Sequence, residues 1–179
     1  MNAAIILANG FEEVEATAPF DILKRGGVNV SFVGLESESV SGAHGIKITA
    51  DVTLKSYDFS SCDMVILPGG LPGAEFLASS AALMDILKAQ AVANKYCAAI
   101  CAAPMALAKA GLINGEYTCY PGFEANVSVQ APSKENVVIN GKIITSRGPG
   151  TAYIFGLTLL ELLKGKAVRD EVASGMLLA

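Results

Sequence analysis

The run of small residues at 98–104 constrains the fold of this chain more than any other segment. An apolar stretch of strand type leads into Cys101, and a helical pattern leads out of it. A side chain held at such a sharp strand-to-helix turn needs small residues two positions before and after it, and these positions are Ala99 and Ala103. The pattern therefore predicts a nucleophile elbow, with Cys101 beside a helix N-terminus whose partial positive charge favours a thiolate.

Strand-like and helix-like patterns alternate along the whole chain. Predicted strands cover 3–7, 28–35, 64–67, 97–100, 117–119, 137–139 and 143–145, and a small exposed hairpin lies within 37–54. Predicted helices cover 12–25, 81–93, 103–110, 152–164 and 168–178. This alternation predicts a doubly wound, mostly parallel α/β sheet whose site lies at the carboxyl ends of the strands. Gly10, Gly69, Gly70 and Cys101 all fall at such ends.

Composition narrows the classes of partner. The 179 residues fit one domain, 1–179, and 52% of them are apolar against 17% charged, which favours a sheet covered on both faces or an oligomer. The net charge of −4 and the lack of a basic block argue against nucleic acid and anionic membranes as partners. Because no apolar run reaches about 18 residues and no signal peptide is evident, we expect a cytoplasmic protein.

The metal-ligating residue types are sparse. Cys62, Cys97, Cys101 and Cys119 match no zinc spacing, and His44 is the only histidine. We therefore expect no metal and no cofactor, and we expect free thiols in a reducing cytosol.

Glu15 is the second informative residue. Positions three, four and seven after it are Ala18, Pro19 and Ile22, so Glu15 lies on the apolar stripe of the first helix, whereas Glu12 and Glu13 are expected on the solvent side. Burial raises the pKa of a carboxyl, and a protonated Glu15 could donate a hydrogen bond to a thiolate and transfer protons. The alternative is that Glu15 only reaches water at the helix edge.

Two glycine-containing loops allow both functional and structural interpretations. The turn at 67–70 is either an ordinary turn or an anion hole, in which the N–H groups of Gly70 and Ala102 face a developing oxyanion. The loop at 146–150 could hold a phosphate at a helix N-terminus, but it lacks the glycine patterns of known phosphate loops, so we favour a structural loop.

Together these motifs resemble the DJ-1/ThiJ/PfpI superfamily, and in particular its DJ-1-like branch. The matching motifs read GFEEVE at 10–15, DILKRGG at 21–27, VILPGG at 65–70, AICAAP at 99–104 and TSRGPGT at 145–151. The resemblance implies a flavodoxin-like three-layer sandwich that forms a homodimer. It also implies that Cys101 is the reactive cysteine and Glu15 its protonated partner.

The resemblance extends to the surroundings of the cysteine. Gly69, Gly70 and Ala102 would form the anion-binding turn, Pro149 would approach across the dimer interface, and Gly10 would border the pocket. One position departs from the family pattern, since Tyr120 precedes Pro121 where glyoxalases of this group often have a histidine. A tyrosine, with an ordinary pKa of about 10, is a poor base at neutral pH.

Two functional hypotheses follow. In the first, the protein is a glutathione-independent glyoxalase or deglycase that acts on small 2-oxoaldehydes or their early adducts through Cys101 and Glu15. In the second, oxidation of Cys101 makes the protein a redox sensor or redox-regulated chaperone without substantial catalysis. A cysteine peptidase or amidotransferase is disfavoured, because residue 102 is alanine and no histidine follows the elbow. His44 is interpreted as a surface or dimer-contact residue.

Overall fold

The computed structural model describes residues 1–178, and its centre is a seven-stranded sheet. The strands are β1 (Asn2–Leu7), β2 (Asn29–Gly34), β5 (Val52–Thr53), β6 (Met64–Leu67), β7 (Tyr96–Ile100), β8 (Val137–Asn140) and β9 (Ile143–Ser146). They lie in the order β5-β2-β1-β6-β7-β9-β8, and all neighbours are parallel except the antiparallel pair β8 and β9.

Helices cover both faces of this sheet. They are α1 (Glu13–Arg25), α2 (Gly73–Ser79), α3 (Ala81–Val92), α4 (Pro104–Lys109), α5 (Ala152–Lys164) and α6 (Lys166–Gly175). Helices α1, α5 and α6 pack together, and α2, α3 and α4 form the other group. Because both faces are covered, the central strands β1, β6 and β7 are apolar and almost completely buried. The predicted α/β class is confirmed.

The predicted hairpin is also present. Strands β3 (Ser39–Ser41) and β4 (Lys47–Thr49) form a separate antiparallel pair. This pair contacts the loop after β1 through two hydrogen bonds: Gly10 N–H donates to Ser41 O at 2.7 Å, and Ala43 N–H donates to Phe11 O at 2.8 Å. The hairpin therefore fixes the loop that leads into α1.

The predicted strand at 117–119 is wrong. Tyr117, Thr118 and Cys119 are buried, which explains their apolar pattern. Their backbone makes no ladder, because Thr118 N–H donates to the Thr145 side chain at 2.9 Å and Tyr117 O accepts from Ser133 N–H at 2.7 Å. Sequence analysis also missed the short strand β5 and helix α2.

Parallel strands bring all their carboxyl ends to one edge of the sheet. β1, β6 and β7 are neighbours at its centre, so the segments that follow them meet there. These segments are the Gly10 loop, the turn at Gly69 and Gly70, and the elbow at Cys101. The topology thus brings three motifs together that are far apart in the sequence.

Helices α1 and α5 approach closely at Gly156. A Cβ atom at Gly156 would lie 2.8 Å from Ile22 Cδ1 and 3.1 Å from Pro19 Cα. At Gly175, also helical, a Cβ atom would meet nothing within 4 Å.

We expect Gly156→Ala to lower the free energy of unfolding by about 1–2 kcal/mol, because overpacking outweighs the gain in helix propensity. The matched control Gly175→Ala should leave stability unchanged or raise it by up to about 1 kcal/mol. Urea denaturation of both variants measures the difference. Equal effects would contradict the close packing of α1 on α5.

Candidate active site

Cys101 lies at the sharp turn between β7 and α4. Its φ is +65°, in the left-handed region that non-glycine residues seldom adopt. Two hydrogen bonds hold its peptide groups in this conformation: Cys101 N–H donates to Ser146 O at 3.0 Å, and Tyr120 N–H donates to Cys101 O at 2.9 Å. The strain is retained because the sheet and the following loop fix both sides of the residue. This is the geometry of a nucleophile elbow.

Gly69 allows the cysteine and Glu15 to approach each other. A Cβ atom at this position would lie 2.6 Å from Cys101 Cβ and 2.8 Å from Glu15 Oε2. Any larger residue would therefore push the two side chains apart. Gly69 N–H donates to Glu15 Oε2 at 2.8 Å, so this N–H orients the carboxyl group and is not available to an oxyanion. In this respect Gly69 differs from its predicted anion-binding role.

Glu15 is completely buried within α1. Burial raises its pKa to about 7, while the hydrogen bonds that the carboxylate accepts from the Gly69 N–H and the Cys101 thiol oppose the rise. Its Oε1 atom has no hydrogen-bond partner among residues 1–178 that meets ordinary geometry. The alternative interpretation of Glu15, as a carboxylate at a wet helix edge, is therefore wrong. A carboxyl group with this pKa exists in both protonation states near neutral pH.

The thiol of Cys101 is coupled to this carboxyl group. Burial and the negative charge of ionised Glu15 together raise the pKa of Cys101 to about 12, while the N–H groups of Gly70 and Ala102 lower it. The structure does not give the lowered thiol pKa that the helix N-terminus predicts, because the desolvation of sulfur and the adjacent negative charge outweigh the N–H donors. The pair resists holding two negative charges at once, because a carboxylate and a thiolate at this contact repel each other.

The turn after β6 supplies the anion-facing groups. The N–H groups of Gly70 and Ala102 both favour a negative charge on the sulfur of Cys101. Gly70 has φ +86°, and a Cβ atom there would lie 2.4 Å from Glu12 N, so only glycine fits. Both N–H groups act on the sulfur of Cys101, and their role toward a developing oxyanion stays a prediction.

The three residues predicted to border the pocket lie at different places. Gly10 is packed under Pro72, whose Cδ would be 2.5 Å from a Cβ atom on Gly10. Tyr120 is 44% exposed and its ring touches the backbone of Gly148. Pro149 lines the same surface cavity as Tyr120. Gly10 thus shapes the turn beneath the site, whereas Tyr120 and Pro149 flank it.

Comparison with known proteins identifies the family of this chain. A profile of the DJ-1/PfpI family matches residues 1–162. The chain belongs to the DJ-1/PfpI family. Among curated relatives, the protein dj-1beta of Drosophila melanogaster is 40% identical over 182 residues, which cover 99% of this chain and 97% of that protein. The glutathione-independent glyoxalase DJR-1.2 of Caenorhabditis elegans is 35% identical over 94% of this chain and 91% of its own length.

Some DJ-1 relatives are longer than this chain. The chain is 41% identical to the DJ-1 homolog A of Arabidopsis thaliana over 97% of its own length, but it spans only 46% of that protein. Among solved structures, Drosophila DJ-1beta superposes with a TM-score of 0.93 at 40% identity, covering 99% of this chain and 98% of that one. Oxidized Toxoplasma gondii DJ-1 superposes with the same TM-score at 34% identity, covering 98% and 97%.

A second charged cluster lies at the start of α1, close to the Cys101–Glu15 pair, and sequence analysis misplaced one of its members. Glu13 was expected on the solvent side of α1 but is buried, with 6% exposure. Glu13 Oε1 accepts from the backbone N–H of His44 at 2.7 Å, and Glu13 Oε2 lies 2.8 Å from His44 Nδ1. Gly42 lies against the same carboxylate. These contacts of Glu13 with His44 and Gly42 hold the β3–β4 hairpin against the start of α1.

Electrostatics reinforce this contact. Burial raises the pKa of Glu13, but the hydrogen bonds from His44 and Ile46 outweigh burial and hold it below the ordinary value. The hydrogen bond to Glu13 and the charges of Glu12 and Glu13 raise the pKa of His44. Within residues 1–178, Glu12, Glu13 and His44 are the one set of side chains close enough to share a metal ion. The N–H donors already occupy Glu13, so this arrangement is a hydrogen-bonded ion pair.

Cys101 differs from the other three cysteines in its left-handed backbone and its position against Gly69, although all four are buried. Cys62, Cys97 and Cys119 are buried and free. Burial raises the pKa of all three. Cys97 lies in β7 with 0% exposure, as expected for a core residue.

None of the helices in residues 1–178 has the length and hydrophobicity needed to cross a membrane.

The raised pKa of Glu15 has a consequence for stability. Below the ordinary value of 4.5 the carboxyl is protonated in both folded and unfolded chains, and the protonated fold has its full stability. As pH rises toward about 7, the unfolded chain ionises and the buried carboxyl resists, so stability is lost.

We therefore expect the difference in unfolding free energy between Glu15→Gln and the unmodified protein to shift by about 3 kcal/mol in favour of the variant as pH rises from 4 to 8. Urea denaturation at several pH values measures this difference. The exposed Glu36→Gln serves as a control, and its curve should run parallel to that of the unmodified protein. A pH-independent difference for Glu15→Gln would contradict the raised pKa.

Proposed function

We propose that the protein is a cysteine-dependent, glutathione-independent glyoxalase and deglycase for small 2-oxoaldehydes and their early adducts. The observation that supports this most directly is the close approach of Cys101, strained and buried, to the buried carboxyl group of Glu15. Gly69 permits this approach, because a Cβ atom at its position would overlap both side chains. In such a pair the thiol can transfer its proton to the carboxylate, which leaves a thiolate beside a protonated carboxyl group. The pair can therefore supply a nucleophile and an acid at the same time.

The first step is addition of the Cys101 thiolate to the aldehyde carbon of a substrate such as methylglyoxal. A C–S bond forms, the electron pair of the C=O bond moves to oxygen, and this oxygen takes the proton of Glu15. The product is a hemithioacetal on Cys101, and Glu15 is now a carboxylate. The N–H groups of Gly70 and Ala102 stabilise negative charge during this step.

The second step moves a proton between the two substrate carbons. The Glu15 carboxylate removes the proton on the carbon bonded to sulfur, which gives an enediolate with its negative charge on the former ketone oxygen. The hydroxyl proton of the hemithioacetal moves to that oxygen, and Glu15 returns its proton to the adjacent carbon. The ketone becomes an alcohol, and the hemithioacetal becomes a thioester. A pKa near 7 suits Glu15 to both halves of this transfer, since the group must accept and release a proton in one cycle.

Hydrolysis completes the cycle. Water attacks the thioester and gives one proton to the Glu15 carboxylate, the C–S bond breaks, and the sulfur leaves as the thiolate. The net reaction is methylglyoxal plus water to lactate and a proton, with no oxidant or reductant consumed. The same steps act on early adducts of these aldehydes with amines, because such adducts release the aldehyde to the thiolate.

The comparisons support this proposal at the level of the family. One relative is named a glutathione-independent glyoxalase, and the other relatives carry DJ-1 names. Tyr120 occupies the position where glyoxalases of the family often have histidine, so Glu15 alone must carry the proton transfers. We also propose, following the family, that the chain is one domain, acts as a homodimer and works in the cytoplasm without metal or cofactor.

Lactate formation from methylglyoxal without glutathione tests the proposal. We expect turnover by the purified protein and a loss of at least about a hundredfold in Cys101→Ser, because the nucleophile is removed. Glu15→Gln should lose a similar factor, since general acid–base catalysis contributes about 10²–10⁴-fold. The buried Cys97→Ser is the matched control. Equal rates for Cys101→Ser and the unmodified protein would refute the mechanism.

A second candidate function rests on the same thiol. The N–H groups of Gly70 and Ala102 favour negative charge on the sulfur, as a sulfinate would carry, and a similar structure is of an oxidized DJ-1. In this function two peroxide molecules each transfer one oxygen to Cys101 and are reduced to water, giving sulfenate and then sulfinate. The oxidised protein then acts as a redox sensor or a regulated chaperone.

Intact and peptide mass spectrometry after mild peroxide treatment tests this function. A gain of two oxygens on Cys101 is expected, while Cys62, Cys97 and Cys119 remain unmodified, because they are less exposed than Cys101 and lack its contact with the N–H groups of Gly70 and Ala102. Selective oxidation of Cys101, combined with no turnover of methylglyoxal, would favour this function over the glyoxalase. Equal oxidation of all the cysteines would exclude it.

A further inference from the structure

A small surface cavity lies beside the turn that carries Cys101 and has no role in the mechanism above. Its volume is about 200 Å³, and it is lined by Tyr120, Pro121, Arg147, Gly148, Pro149, Gly150 and Thr151. Tyr120 N–H donates to Cys101 O at 2.9 Å, and Ser146 O, one residue before Arg147, accepts from Cys101 N–H at 3.0 Å. Two of its walls therefore connect directly to the backbone of the cysteine.

Arg147 differs from the other two arginines of the chain. Arg25 pairs with Asp21 at 2.8 Å, and Arg169 pairs with Glu161 and Asp170, each at 3.0 Å. Arg147 is half-buried in the wall of the cavity, and no carboxylate within residues 1–178 lies within 4.0 Å of its guanidinium. The cavity lining holds no acidic residue. The cavity thus has a positive charge that the described chain does not neutralise.

The loop that carries Arg147 is held in place. Thr151 Oγ1 accepts from Gly148 N–H at 3.1 Å, donates to Gly148 O at 2.9 Å and lies 2.8 Å from Ser146 Oγ. Ser146 Oγ also donates to Asn136 O at 2.7 Å. The sequence-based interpretation of this segment as a structural loop fits these bonds. They also fix the backbone from which Arg147 extends.

Helix α5 adds to this positive field. The helix begins at Ala152 and runs for 13 residues, so its N-terminus carries the partial positive charge of the helix dipole. Thr151 makes no side-chain cap to the helix. The guanidinium and the helix start therefore lie on the same loop, and both favour an anion in the cavity between them and Tyr120.

We infer that Arg147 forms an anion subsite beside Cys101, which selects 2-oxoaldehydes or aldehyde adducts that carry a carboxylate or phosphate on a short chain. This inference rests on the proposed function for the reacting end of the substrate, whereas the subsite itself rests on Arg147 and the cavity. The guanidinium contacts the distant anionic group of the substrate. The aldehyde carbon then lies toward the sulfur of Cys101.

Alkylation of Cys101 tests the subsite without relying on turnover. Iodoacetate and iodoacetamide are similar in size and react with the same thiolate, but only iodoacetate is an anion. We expect Arg147→Met to lower the ratio of the iodoacetate rate to the iodoacetamide rate by about two- to fivefold at low salt, as expected for one charge at this range. Arg147→Lys should retain most of the ratio, and high salt should reduce the difference.

Arg25→Met removes an arginine at the far end of α1 and is the control, with an unchanged ratio expected. Peptide mass spectrometry assigns the alkylation to Cys101. A ratio that is the same in Arg147→Met and the unmodified protein would overturn the subsite. This includes the case in which both rates fall by one factor, because that result would reflect a structural role of Arg147.

Kinetics with paired substrates then test selectivity. The probes are 4,5-dioxopentanoate, a 2-oxoaldehyde with a terminal carboxylate, and its methyl ester. Arg147→Met should raise KM for the acid severalfold with little change in kcat, and should leave the ester unaffected. Equal changes for acid and ester would overturn the inference. If neither probe is turned over by the unmodified protein, the glyoxalase proposal fails, and the alkylation ratio still decides whether the subsite exists.

Discussion

The contact between Cys101 and Glu15 across Gly69 is the constraint on which the rest of the site depends. A sulfur and a carboxyl group that share one proton must both be close together and shielded from water. Closeness requires glycine at position 69, since any Cβ atom there would overlap both partners. Shielding requires that α1 carry its carboxyl on the face that packs into the protein, and Glu15 is completely buried there.

This arrangement is costly for the fold. The left-handed backbone at Cys101 and the buried carboxyl at Glu15 are each unfavourable in isolation. They persist because neighbouring elements determine their positions. The backbone of Cys101 is held from β9 through Ser146 and from the following loop through Tyr120. The start of α1 is held by the hairpin through Glu13 and His44. The parallel sheet supplies the common edge where these supports converge.

The same pair is compatible with two chemistries, and its surroundings influence which one prevails. A glyoxalase needs Glu15 to release and regain a proton, and its pKa of about 7 permits this. A redox sensor needs an anionic sulfur product to be stabilised, which the N–H groups of Gly70 and Ala102 favour. The cavity with Arg147 and Tyr120 lies outside this pair. We propose that it selects among the molecules that reach the sulfur.

The sequence by itself determined the α/β class, most of the strands and helices, and the identity of Cys101 and Glu15 as the central pair. These features follow from local patterns: periodicity, small residues around a turn, and a carboxyl on an apolar stripe. Tertiary structure alone decided that 117–119 is not a strand, that Glu13 is buried against His44, that Gly69 N–H is occupied by Glu15, and that Arg147 lies beside the site without a partner. Each of these depends on contacts between segments distant in sequence. Periodicity along one helix cannot reveal a hairpin that packs over its first turn, and the sign of a coupled pKa shift depends on the distance between two groups that only the folded sheet brings together.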